Sequence, residues 1–147
     1  MFRTIFLTLA LLCNPSWGQE KIDFGKLESA ERERLQAARE YLAKKPGTVR
    51  AGFETAILAQ RVVEGMCPTE AQLAAGRFFY SVKNDEKWPS GTNPLRIINS
   101  QCSEPDDSEI TMTFMTRTQF DDRRPTIFKV FFKTGRAVSI ERGKTAE

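Results

Sequence analysis

The chain has 147 residues, with 22 lysines and arginines against 19 aspartates and glutamates and no histidine, for a formal net charge of +3. That length suits one domain with a modest core, and a charge so near balance argues against a nucleic-acid partner. Without histidine the chain lacks the commonest general base, the commonest zinc ligand and the usual activator of a nucleophilic cysteine.

Met1 to Gly18 carries Arg3, then an apolar run from Ile5 to Leu12, then the polar stretch Asn14-Pro15-Ser16-Trp17-Gly18. This is the pattern of a secretory signal peptide, with small Ser16 and Gly18 placed for cleavage after Gly18. The run falls well short of the roughly 20 apolar residues a spanning helix needs, so no stable membrane span is expected. Cys13 raises the alternative of a lipid-attachment cysteine, but bulky Leu12 stands where lipoprotein signals usually carry Gly, Ala or Ser. Cleavage after Gly18 is the favoured reading; it discards Cys13 and, with Arg3 gone, lowers the formal charge from +3 to +2. Export leaves Cys67 and Cys102 as an even pair in an oxidising compartment, where a disulfide is expected.

From Gly25 to Lys44, Leu27, Ala30, Leu35, Ala38, Tyr41 and Leu42 recur at spacings of three and four. A helix with a narrow buried stripe follows, its other face densely charged and solvated, with Lys44 and Lys45 near its C-terminus and Pro46-Gly47 as its stop. Thr48 can cap a second helix running to about Gln60, with Val49, Phe53, Ile57 and Leu58 on one side. Gly65 breaks that run. A short third helix from Pro68 or Thr69 to Ala75 follows, with Thr69 and Gln72 resembling a capping box and Gly76 as its stop.

Beyond Gly76 the period changes from helical to two, and Phe78, Tyr80 and Val82 alternate with Phe79, Ser81 and Lys83 in a first strand. A polar loop from Asn84 to Pro94 leads through a short apolar piece, Leu95 to Ile98, to Cys102 and an acidic turn at Glu104 to Asp107. Ile110, Met112 and Phe114 alternate with threonines in the next strand. Phe128, Val130 and Phe132 form another, and Val138 and Ile140 follow Thr134-Gly135, so the last two runs predict a β-hairpin. Gly143 to Glu147 is expected to be a frayed tail.

Gly65-Met66, Thr69, Glu70 and Gly76, followed by a long loop and a final hairpin with Phe131, Phe132, Gly135, Arg136, Val138 and Ile140, resemble the SmpA/OmlA family of BamE-like small envelope domains. The likeness covers about Ala56 to Arg142. It implies an α+β fold, with two or three helices packed on one face of a three- to four-stranded antiparallel sheet, and helical periodicity followed by strand periodicity supports that class independently. The chain then divides into a signal peptide at 1–18, a charged helix at 19–47, the α+β domain at 48–142 and a tail at 143–147. Departures from the family pattern are the Cys-Pro at the corner, the Arg77-Phe78-Phe79 run where a proline commonly follows the helix-ending Gly, and the charged helix outside the match.

An antiparallel sheet covered on one face leaves the other available. Ile127, Phe131, Met115 and Tyr80 are expected there and would form a protein-binding surface unless the N-terminal helix covers them. Trp88 in the long loop is a candidate contact anchor, or else folds back over the disulfide. Arg123 and Arg124, in the loop from Gln119 to Pro125, belong to a basic C-terminal half that would attract acidic partners.

Neither a zinc site nor a calcium loop is expected, since Asp106, Asp107 and Glu109 lack the spaced donors and glycine of such a loop. No phosphate-cradling glycine loop is present and no cofactor is expected. The reading is a non-enzymatic periplasmic or secreted domain that binds an envelope protein through its sheet edge or aromatic face. One alternative is an inhibitor of an extracytoplasmic enzyme, since the predicted shape resembles the repeat unit of β-lactamase inhibitor proteins, with the loop from Asn84 to Gln101 as the inserting element. Another is a small hydrolase using Asp121 or Glu70.

Overall fold

The computed structural model describes residues 23–45, 49, 51–83 and 87–145. The predicted signal peptide, Cys13, Thr48 and the Pro46-Gly47 stop lie outside the described residues. Among those described, four helices accompany a four-stranded antiparallel sheet, the expected α+β class.

Helix α1 spans Phe24–Lys44 and is capped one turn earlier than the apolar stripe alone shows: the Asp23 carboxylate accepts from the amides of Gly25 and Lys26 at 3.0 and 3.2 Å. Its buried residue is Ala38, with Leu27, Leu35, Tyr41 and Leu42 half-buried, so the stripe is as narrow as the sequence predicts. Helix α2 covers Ala51–Leu58, with Ile57 buried and Leu58 exposed rather than on the buried side. Helix α3 covers Pro68–Ala75. Its capping interaction lies two residues earlier than Thr69-Gln72, because the Cys67 amide donates to Glu70 Oε1 at 2.9 Å. Pro68 takes the first turn, where a missing N–H costs nothing.

The sheet runs in the order β1-β2-β3-β4, with β1 at Phe78–Lys83, β2 at Glu109–Thr116, β3 at Thr126–Lys133 and β4 at Arg136–Thr145. Helix α4, Pro94–Ser100, interrupts the connection between β1 and β2. The short apolar piece from Leu95 to Ile98, for which the sequence predicts no helix, is therefore helical: Asn93 Oδ1 accepts from the Leu95 amide at 3.0 Å, and Ile97 and Ile98 are buried. The predicted tail is also corrected, since Gly143 to Thr145 continue β4 and Thr145 pairs with Thr126. Thr134 and Gly135 both have positive φ, 52° and 71°, forming the two-residue turn whose twist suits a hairpin.

The core lies between this sheet and α2 and α3. Ile110, Met112 and Phe114 of β2 and Phe128, Val130 and Phe132 of β3 meet Ile57, Met66, Ala71 and Ala74. Phe114 stacks on Phe128 at 5.5 Å between ring centroids, and Phe120 meets Phe128 edge-on at 5.7 Å. Phe114, Phe128 and Phe132 are essentially fully buried, and burying each side chain contributes about 1.5–3 kcal/mol.

The Gly65-Met66 corner joins the helical layer to the sheet. Gly65 adopts φ 92°, its amide donates to Ala137 O at 2.8 Å, and the Ala137 amide donates to Met66 O at 2.7 Å. Beside it the Cys67–Cys102 disulfide, with a Cα–Cα distance of 5.3 Å, ties α3 to the segment after α4. The expected pairing is present, and it pins that segment to the corner.

Candidate functional site

Successive residues of a strand point to opposite faces of a sheet, so pairing register sorts the side chains. The buried alternates of β2 and β3 face the helices. Thr111, Thr113 and Met115 of β2 and Ile127, Lys129 and Phe131 of β3 occupy the opposite face, paired as Thr111–Phe131, Thr113–Lys129 and Met115–Ile127. Ile127, Phe131 and Met115 thus lie where the sequence places them, all half-buried. Helix α1 packs on α2 and α3. It reaches the sheet near Met115, beside Leu27 and Ala30, and Arg117 holds that end through paired bonds to Glu31 of 2.7 and 3.0 Å.

Tyr80 is corrected. Its register partner is buried Met112, so it belongs to the helix-side face with Phe78, whose ring lies 6.2 Å away. It remains 42% exposed because β1 is an edge strand. Phe79, one residue earlier, takes the open face opposite Thr113 and is 43% exposed. The period of two in Phe78-Phe79-Tyr80 already carried that signal, since Tyr80 shares the parity of Phe78 and Val82.

Opposite charges lie within and along this face. Lys129 pairs across the strands with Glu141, and Lys83 with Glu109, placing each lysine beside a carboxylate. The loop between β2 and β3 is firmly tied down: the Val62 amide donates to Gln119 Oε1 and Gln119 Nε2 donates to Val62 O, both at 2.7 Å. Its acids are engaged, Asp121 with Arg61 and Asp122 with Arg142 at 3.0 Å and with the Thr126 hydroxyl at 2.6 Å. Arg123 and Arg124 are exposed with no ion-pair partner among the described residues, which leaves a positive corner next to Ile127.

Trp88 is half-buried, and its indole N–H donates to Asp106 Oδ2 at 2.6 Å. The Ser108 amide donates to the other Asp106 oxygen at 2.8 Å, and Lys87 Nζ lies 3.5 Å from Oδ2. Asp106 is 7% exposed. Desolvation pushes its carboxyl up, but the hydrogen bonds from Ser108, Trp88 and Gln101 outweigh it and hold the group well below the usual carboxylate range. Trp88 thereby anchors its loop to the segment that follows the disulfide.

Glu70 caps α3, and Arg136 Nη1 lies 3.7 Å from it; Asp121 sits at φ 55° in the loop beside Arg61. The two carboxylates thus serve separate interactions. No group of three or more Asp, Glu, Cys or His among the described residues could hold a metal ion, and no described helix is long and apolar enough to cross a membrane. Compared with known proteins, the chain matches no family model, no curated protein and no solved structure.

Proposed function

We propose that this chain is a non-enzymatic envelope domain that docks a protein partner on the open face of its sheet. The observation that carries the reading is the half-buried Phe131, Ile127 and Met115 on that face, with Lys129 between the first two, beside Arg123 and Arg124, which have no ion-pair partner among the described residues. Such a surface suits a partner with an apolar patch bordered by acid. The signal-like N-terminus and the Cys67–Cys102 disulfide support an exported location, periplasmic or secreted. The resemblance to the SmpA/OmlA domain supports an assembly or scaffold role. Glu70 and Asp121 are engaged in capping and ion pairing, which weighs against the hydrolase reading. Helix α4 and the Trp88–Asp106 bond hold part of the loop that the inhibitor reading needs for insertion, and weigh against that one.

A photo-crosslinking residue in place of Phe131, used in intact cells, tests the proposal. Crosslinks to an envelope assembly protein, abolished by Phe131→Glu in a variant that keeps its thermal stability, are the expected result. Crosslinks to one soluble hydrolase would instead favour the inhibitor, and none at all would remove the docking face.

A further inference from the structure

Two adjoining cavities, of about 460 and 490 Å³, run between α1 and the end of α3 and share Arg34, Ala37, Gly76 and Arg77. Both are within the size range of small-molecule sites. The first extends over Leu27, Ala30 and Met115. Small residues, Ala30, Ala37 and Gly76, border the space. At φ 81° Gly76 lets the Arg34 stem lie where a side chain would stand, Arg34 Cδ being 2.8 Å from the position a Cβ would take.

Arg34 lines both cavities. Its Nη2 donates to Gln60 Oε1, while its Nε is a buried donor with no acceptor among the described residues. Burial lowers its pKa by more than the nearby Glu31 raises it, so the guanidinium is partly desolvated. Arg77, at the shared wall, is exposed and has no ion-pair partner among the described residues. Glu33 is the carboxylate lining the first cavity.

We infer that this groove binds a single-chain carboxylate amphiphile, its head between Arg34 and Arg77 and its chain along Leu27, Ala30 and Met115. Two guanidiniums where the two cavities meet match a carboxylate in charge. A hydrocarbon chain suits the wall at Leu27, Ala30 and Met115, which presents apolar side chains. Leu27 and Arg34 stand two helical turns apart, about 10 Å, which gives the chain room to extend. The groove meets the protein-docking face at Met115, which both readings use, while Ile127 and Phe131 lie outside its lining.

Titration of the purified protein with dodecanoate below its micelle concentration, followed by calorimetry and by backbone amide shifts, tests it. The expected result is one-to-one binding with shifts at Leu27 to Ala37 and at Gly76-Arg77. Arg77→Ala should weaken it by at least about tenfold, and Ala30→Phe, at an exposed position, should abolish it by filling the groove. Equal affinity for dodecyl maltoside would overturn the head-group assignment, and equal affinity for acetate would overturn the chain. Absence of shifts, or shifts confined to the Phe131 face, would sink the site while leaving the docking proposal standing.

Discussion

Asp106 keeps its charge inside the protein because the Trp88 indole and the Ser108 amide donate to it, with Lys87 close by. Its folded pKa lies below the ordinary carboxylate value near about 3.9. The unfolded chain therefore takes up the proton first. The stability Asp106 contributes is complete above the unfolded pKa and is lost as pH falls through the folded value. Asp106→Asn should lower unfolding free energy at neutral pH by about 1–3 kcal/mol, and its decline in stability below about pH 4 should be shallower than the parent's; urea titrations across acid pH check both. Gly135 is constrained differently. It has φ 71°, and an added Cβ would stand 2.6 Å from Gln101 O and 2.8 Å from Pro105 Cβ. Gly135→Ala should destabilise by more than about 1 kcal/mol, read as a lower urea midpoint with an unchanged slope.

Helix α1 and strands β2 and β3 were legible because each repeats its period over at least two turns or four alternations, long enough for the apolar positions to identify one face. Helix α4 was not. Its seven residues contain adjacent Ile97 and Ile98, which read equally as strand, and the Asn93 cap with Pro94 also reads as loop. Strand β4 hides a second ambiguity. A register shift between Phe131 and Phe132 leaves Val138 outside the pairing and 53% exposed, while Ile140 returns to register opposite Val130. The disulfide joins two of these elements, α3 and the end of α4, by closing a 35-residue separation. Replacing Cys67 and Cys102 together with alanine should cost about 2–4 kcal/mol. The fold should survive, since the core of Phe114, Phe128 and Phe132 lies elsewhere; chemical unfolding and far-ultraviolet dichroism test the two halves of that statement.

For the whole molecule, the intact mass of protein taken from the cell envelope is the most economical test of its processing. A chain starting at Gln19 and lighter by two hydrogens is expected, consistent with cleavage after Gly18 and one disulfide. Retention of Met1, or a lipid adduct at Cys13, would move the protein to another compartment or anchor. Alternation of apolar side chains, turn residues and cysteine parity are local, so residue order alone yielded the α+β class, the final hairpin, the disulfide partners and the open face containing Ile127 and Phe131. Tertiary packing decided the rest: Trp88 became an anchor once Asp106 was buried beneath it, and the Arg34 groove exists because α1 docks on α3 across Gly76. Each depends on which distant segments touch, and local periodicity carries no information about that.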